Sequence, residues 1–562
     1  MRRVCLVILV LAGAMSVWAE SPATSSQAAS QETAGILNEL KQLVAAQQLQ
    51  LKAADEELRA QRRLLEAQRS QLEAQHRDIL NLSAAVGDLS GASRAGVVSP
   101  AGVVRPANLG EIATSSPVLP AGSMPVPQKQ GTATPLLEPG TEKPSPLSFR
   151  IGGTEFLPLG FVDFTSVFRS TNVGSGIGTA FGAIPLSNTP AGHLTENRFS
   201  AQNSRIGLRV TGTFGKNDLT GYLETDFLGN APPNLFVTSN SATNRLRLYW
   251  VDVKRGKWEF LAGQSWSWLT PNRNGVSPIP ADIFFSQNMD TNYQVGLTWT
   301  RAPQVRAIYH PNKNWALGVA LEDPEQFVGN AVTFPAALNS VYPNELSTGA
   351  ATTTPNLHPD IIPKIAYDAT PGGRHLHLEA VGLLTSFRVY NPLTNASSTA
   401  TGGGGSLNGN YELTKNLKVL FSSFYSSGGG RYIFGLGPDL VVRPNGTPAL
   451  VAAGSGIAGL EWQAGRNTLV YAYYGAAYFR RHYFLDTNNT FEGFGFPGSS
   501  TNANRSIQEP TFGITETLWK NPNYGAMQLI TQYSYLTRSP WTATPAHAHT
   551  NMGFVDLRYV LP

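Results

Sequence analysis

From residue 147 to the C-terminus, stretches of alternating apolar and polar residues recur, separated by connections of two kinds that take turns along the chain. The short kind reads GKND (215–218), KRGK (254–257), PNKN (311–314), TPGGR (370–374), TKN (414–416), AGRN (464–467) and KNPN (520–523), all of turn composition. The long kind covers roughly 170–198, 228–244, 266–292, 323–360, 390–404, 428–456, 484–510 and 538–550. Eight long and seven short connections join sixteen strands and leave both ends of the segment on the short-turn side. A soluble sandwich has no reason to sort its loops this way. An antiparallel transmembrane β-barrel of the bacterial outer-membrane type does, with an even strand count, short turns on one rim and long loops on the other. The count treats Tyr293 to Tyr309 as one strand despite Pro303, which cannot donate to a ladder. A turn at RAPQ (301–304) would make it odd.

Within the strands, parity assigns the faces. In NSRIGLRVTGTF (203–214), Ile206, Leu208, Val210 and Phe214 share one parity, and Arg205, Arg209 and Thr211 share the other. In a barrel the oily face meets lipid and the other parity lines the lumen. The third strand then directs Leu219, Leu223 and Phe227 outward and Tyr222, Glu224 and Asp226 inward. The fourth directs Leu246 and Leu248 outward with Arg245 and Arg247 inward. In the sixth, Val305, Ala307 and Tyr309 face out and Arg306 faces in, and the last strand contributes Asp556 and Arg558. Arginines on adjacent strands, about 5 Å apart, make a fixed positive surface whose field is focused into an aqueous path and lowers the barrier for anions such as carboxylates. The competing reading is that Glu224 and Asp226 pair with these arginines and cancel much of that field.

Ahead of the barrel segment, Met1-Arg2-Arg3, the apolar run Val4 to Val17 and Val17-Trp18-Ala19 read as a signal peptide cleaved after Ala19. The only cysteine, Cys5, falls inside it. A tail (20–35) leads into a coiled coil over 36–90. There the a positions 37, 44, 51, 58, 65, 72, 79 and 86 are Leu, Val, Leu, Leu, Leu, Leu, Ile and Val, and d positions include Gln47, Gln61, Gln68 and Gln75. Such a coil is about 80 Å long at 1.5 Å per residue and favours a trimer. Residues 91–146, as in PVLPAGSMPVPQKQ, are a Pro/Ala/Ser-rich linker. No later run of apolar residues is long enough for a transmembrane helix. The net charge of +4 includes Arg2 and Arg3, which gives no argument for nucleic acid.

The run from SRIGLRVTG through GYLETDF, RLRLYWVDV and WEFLAGQSWSWLTP resembles trimeric outer-membrane porins of the DcaP-like kind, which also place a coiled coil before a sixteen-stranded barrel. The resemblance implies a homotrimer in outer-membrane lipid, with the coil in the periplasm, and passive uptake of small hydrophilic solutes, often anionic ones, without a cofactor. It departs at the C-terminus, where Tyr559-Val-Leu-Pro562 replaces the usual terminal aromatic. In porins the loop after the fifth strand commonly folds into the lumen and sets the constriction. Here that stretch (266–292) carries Arg273, Asp282 and Asp290, and its acidic residues facing an arginine wall would set up a transverse field. Ile283, Phe284 and Phe285 together favour burial over an outward-facing loop.

Other chemistries are poorly served. His375 and His377 with Glu379, and His547 with His549, have a spacing at which imidazoles could share a metal, but polar wall and loop are the simpler readings and no metal is expected. GSGIG (174–178), GGGG (402–405) and GGG (428–430) match no phosphate loop and read as loops or strand entries. A barrel hydrolase would need a nucleophile, base and orienting group that parity does not assemble. A sugar path stacked on Trp266, Trp268 and tyrosines, or an envelope tether reaching peptidoglycan through the coil, are the remaining alternatives.

Overall fold

The computed structural model describes residues 145–229, 242–283, 287–329, 331–339, 356–542 and 547–562. The expected signal peptide, coiled coil and linker lie outside them. Among the described residues, sixteen antiparallel strands close on themselves. They are β1 (Thr154–Arg169), β2 (Arg205–Phe214), β3 (Asn217–Asp226), β4 (Arg245–Arg255), β5 (Trp258–Trp266), β6 (Arg301–Asn312), β7 (Trp315–Glu322) and β8 (Asp360–Ala369), then β9 (Leu376–Asn391), β10 (Ala396–Thr414), β11 (Leu417–Ser427), β12 (Ala452–Gln463), β13 (Thr468–Phe479), β14 (Asn504–Asn521), β15 (Gly525–Pro540) and β16 (Ala548–Val560). β16 pairs with β1 from Phe161↔Val560 to Arg169↔Met552, which closes the barrel. Ser145 Oγ donates to the Pro562 carbonyl at 2.8 Å, so both ends of the barrel meet on the short-turn rim.

All seven short turns stand where turn chemistry places them. The long rim differs at one point. The 390–404 connection is a four-residue turn at 392–395, because β9 and β10 stay paired as far as Asn391↔Ala396. Gly402–Gly405 therefore lie in the ladder, opposite Thr385 to Gly382. A Cβ on Gly404 would sit 2.5 Å from the Ser426 side chain, so the crowding of β11 requires the bare backbone there. The stretch 293–309 is also shorter as a strand than its pattern suggests. β6 starts at Arg301, and Tyr293 (φ 64°) and Gly296 (φ 91°) turn the preceding residues off the wall. The chain does not turn at RAPQ. Pro303 lies opposite Gln264, and pairing with β7 begins only at Gln304↔Glu322, so the missing N–H falls where no ladder partner asks for it. The strand count is even.

Parity holds on the outside. Ile206 is 58% exposed while Arg205 and Arg209 on the same strand are buried, and Leu223, Val305, Val555 and Leu557 are exposed likewise. Trp258, Trp315, Trp462 and Trp519 form an exposed aromatic belt near the short-turn rim, the signature of a membrane interface. One assignment reverses. Leu248 is fully buried, because a bulge sets Thr225 opposite Leu246 and Glu224 opposite Leu248, which leaves Arg247 and Leu248 both facing inward. The interior is also more apolar than alternation implies. Leu157, Leu159 and Phe161 of β1, Leu420 of β11 and Ile457 of β12 pack inside with Ile279, Ile283 and Leu297 from the segment between β5 and β6.

Candidate functional site: the barrel interior

The inner wall of β2–β4 concentrates charge. Arg245 grips Asp226 with two bonds, Nε–Oδ1 at 3.0 Å and Nη2–Oδ2 at 2.7 Å. Arg247 bridges Glu224 (2.5 Å) and Asp226 (2.7 Å), and Arg205 stands 3.7 Å from Glu224. Tyr222 donates to Glu224 at 3.2 Å. Arg209, also buried, lies next along β2 opposite Tyr222. Three arginines (205, 245, 247) thus share two carboxylates (224, 226), with Arg209 beside them on β2, and on this stretch of wall arginines outnumber acids. Arg301, at the start of β6, adds a further guanidinium 5.5 Å above the Trp266 ring, whose other cation is Arg247, also at 5.5 Å.

Two of the expected wall arginines stand apart from this group. Arg306 donates to the Trp266 carbonyl (2.6 Å) and to Gln304, and lies 5.4 Å over the Trp268 ring. Arg558 sits at the β1–β16 closure, 2.6 Å from Asp163 and 3.2 Å from Asp556. It shares the Phe161 ring with Arg205, at 4.8 and 5.5 Å.

The segment 267–300 runs through the interior and is tied to wall strands far around the barrel. Trp268 N–H donates to Glu322 of β7, Lys364 of β8 to the Thr270 carbonyl, Asn272 N–H to Glu379 of β9 and Gly275 N–H to Asp368 of β8. Further on, Gln287 N–H donates to Tyr473 of β13, Met289 N–H to Gln532 of β15 and Val295 N–H to Glu509 of β14. Glycines make room for it. A Cβ on Gly475 of β13 would fall 1.8 Å from the Val295 carbonyl oxygen, and one on Gly318 of β7 2.7 Å from the Trp268 ring.

Arg273 of this segment meets Glu461 of β12 in a two-bond pair at 2.7 and 2.9 Å, with Tyr473 donating to the same carboxylate at 2.7 Å. Burial disfavours the Arg273 charge, but Glu461 and Tyr473 outweigh it and raise its pKa. Asp290 accepts the backbone N–H groups of Thr179 (3.0 Å) and Asn292 (2.8 Å), and burial raises its pKa although Arg169 and those donors oppose it. Asp282 is half-buried, and its backbone carbonyl takes the Arg273 N–H at 2.7 Å. The loop arginine faces a wall carboxylate, and the Asp290 carboxylate is held by backbone donors. Of the loop acids, Asp290 also lies within electrostatic reach of Arg169, a buried wall arginine at the end of β1. Of the wall acids that receive the segment, Glu379 was read from the sequence only as polar wall beside His375 and His377, and Glu322, Glu461 and Glu509 were missed. Glu322 and Glu461 are each the lone carboxylate of an otherwise apolar or small-residue strand, as in VALE and LEWQ, which is a signal the sequence does carry. His377 spans Asp368 (2.8 Å) and Glu379 (3.4 Å), with Lys364 3.1 Å from Glu379, which makes an ion-pair chain. His549 points outward, exposed against Tyr535.

At the long-loop end, residues 428–451 fold inward. Arg431 lies between Asp360 and Asp439, and Tyr432 donates to Asp360 at 2.6 Å. Trp299 stacks on Phe434 at 4.8 Å, and Phe434 meets Phe181 edge-on at 5.7 Å. Burial pushes Asp439 up to about 6 despite Arg431 and the N–H groups of Arg431 and Phe327. A carboxyl whose pKa rises on folding stabilises the fold fully below its unfolded value of about 3.9, and that contribution is lost as pH rises through about 6. The mouth is therefore expected to be tighter at pH 5 than at pH 7.5. The temperature at which the folded form is lost should be higher at pH 5 than at pH 7.5, and Asp439→Asn should remove the difference. An unchanged pH response in that variant would exclude Asp439 as its source.

The architecture is a closed sixteen-stranded antiparallel barrel of the outer-membrane type, with a segment folded through its interior. It is similar to the crystal structure of the outer-membrane channel DcaP of Acinetobacter baumannii, with a TM-score of 0.54 and 17% identity over 73% of this chain and 98% of that one. More distant similarity extends to an anion-selective porin from Comamonas acidovorans (TM-score 0.41, 12% identity, 73% and 100% of the two chains) and to Salmonella typhi OmpF in complex with daunomycin (0.42, 10%, 74% and 100%). No family model matches the sequence, and no curated protein matches it.

Proposed function

We propose that this chain is an outer-membrane porin through which small hydrophilic solutes diffuse passively, with a preference for anions such as carboxylates. The observation that carries the reading is the inner wall of β2–β4 inside a barrel whose outer face is apolar, where Arg205, Arg209, Arg245 and Arg247 exceed Glu224 and Asp226. A surplus of fixed positive charge lowers the barrier for anions in a narrow path. The segment 267–300, with Arg273, Asp282 and Asp290, is the constriction. Its many anchors make its position the control on pore size. In this reading the barrel assembles as a homotrimer in outer-membrane lipid, and residues 36–90 form a periplasmic coiled coil within reach of peptidoglycan. No catalytic step is involved.

A sugar-selective path receives less support. Trp266 lies under Arg247 and Arg301, and Trp268 under Arg306 and Lys364, so the rings are covered by cations. The test is planar-bilayer conductance of the purified protein under a salt gradient. Steps in groups of three with a reversal potential favouring chloride are expected. Replacing Arg245 and Arg247 by Glu (R245E/R247E) reverses the wall from surplus positive to negative and should shift the reversal potential toward cation preference. A correctly folded trimer that never conducts would defeat the porin reading, and a cation preference in the natural protein would defeat the charge assignment.

A further inference from the structure

We propose that the long-loop rim of β13–β15 holds the phosphorylated headgroup of an outer-leaflet glycolipid, through Arg481 and Arg505 stacked on Trp541. This rests on the outer-membrane placement proposed above. It concerns the long-loop rim and uses none of the β2–β4 wall arginines.

Trp541 follows β15 and is fixed by its own donors. Its backbone N–H goes to Ala503 and its indole N–H to the Phe479 carbonyl, both at 2.9 Å. Its ring meets Tyr478 edge-on at 6.2 Å, and Tyr478 is an outward, exposed residue of β13. The indole therefore spans the rim, with one side packed on the buried apolar core and its edge beside the outward Tyr478, where Trp and Tyr mark a membrane interface. Arg481 follows the end of β13 and reaches 5.3 Å from the Trp541 ring. Arg505 comes from a register shift between Asn504 and Ser506. Regular alternation would send it inward with Ile507 and Glu509. The bulge releases it, and its guanidinium stands 5.9 Å from the same ring. Gly495 (φ 74°) backs the pair, since a Cβ there would lie 2.6 Å from Trp541 and 2.9 Å from the Arg481 Cβ.

Arg480, Arg481 and Arg505 are exposed, and among the described residues none of their guanidiniums has an ion pair or hydrogen bond. The acids nearby in sequence are engaged elsewhere. Asp486 takes the Thr487 N–H in its own turn, and Glu492 is buried with Thr490. Inside the barrel, by contrast, Arg245, Arg247, Arg273, Arg431 and Arg558 all pair with carboxylates. A guanidinium stacked on an indole is held in place while its N–H edge stays free, which suits the bidentate geometry of phosphate. Basic groups at membrane-surface depth recognise anionic headgroups in this way.

The experiment uses the full-length protein in micelles and measures binding of a bisphosphorylated diglucosamine lipid, its dephosphorylated form and inorganic phosphate. Binding of the phosphorylated lipid alone is expected. R481A/R505A should weaken it roughly tenfold to thirtyfold, and R481K/R505K should fall between, keeping charge and losing the stack. Heat-resistant migration shows that each variant is folded, and their conductance should match the parent. Equal binding of the dephosphorylated lipid, full binding by the alanine variant, or displacement of the lipid by inorganic phosphate at equal concentration would each overturn the proposal. Absent conductance in the parent with lipid binding intact would count against the porin reading alone.

Discussion

Gly475→Val should increase single-channel conductance while leaving the barrel closed and assembled. Gly475 faces inward between Ile457 of β12 and Glu509 of β14, and Glu509 accepts the Val295 N–H at 2.9 Å. The Val295 backbone lies directly on the bare glycine, its carbonyl oxygen 1.8 Å from where a Cβ would be. No backbone atom tolerates that distance, so one side must move. β13 is held by ladders on both flanks and cannot retreat without breaking them. The inner segment is held at this point by side-chain contacts alone. Overpacking of this kind costs about 1–3 kcal/mol, enough to release Val295 and Gly296 from the wall without unfolding the barrel. The variant should conduct more and discriminate less between small and large solutes. Unchanged conductance from a folded variant would show that the segment does not set the pore.

The barrel is legible in the sequence because its information is local. Turn composition and two-residue periodicity are both read within a few residues, and together they fix a strand count and a rim. What alternation cannot carry is an insertion of one residue. The bulge that turns Leu248 inward and the one that releases Arg505 outward each break the parity on which the assignments rest. Neither leaves a mark in composition. GGGG (402–405) misled for a related reason. Glycine usually signals a turn, but here it answers crowding from β11, a neighbour that sequence spacing does not reveal.

The interior was legible as a list of charges and not as a set of partners. Arg205, Arg245 and Arg247 do converge on Glu224 and Asp226, since these lie on adjacent strands and parity plus order suffices to bring them together. Arg273 and Glu461 are 188 residues apart, and Val295 and Glu509 are 214 apart. Such pairs depend on where the segment 267–300 crosses the barrel, which no periodicity encodes. The apolar inward face of β1 is part of the same arrangement. Leu157, Leu159 and Phe161 would be out of place against water and make sense against Ile279, Ile283 and Leu297.

The seam between the first and last strands gives the largest expected loss of stability. Arg558 is fully buried and carries the countercharge for Asp163 and Asp556, also fully buried, with Asn203 and Thr165 completing the bonds to Asp163. Arg558→Leu removes the only positive charge of this group and leaves two carboxylates a hydrogen bond apart through Thr165, which reaches both. Breaking a buried pair from one side costs about 3–5 kcal/mol, and here the loss falls on the ladder that closes the barrel. The temperature at which the folded, heat-resistant form is lost should drop markedly in R558L. Removing the carboxylate charges as well, in R558L/D163N/D556N, should recover most of it, because no uncompensated charge then remains buried. If the triple variant is no more stable than the single one, the damage comes from lost packing on Phe161 and Met289, which Arg558 touches at 4.8 and 3.8 Å, and charge balance is not what holds the seam.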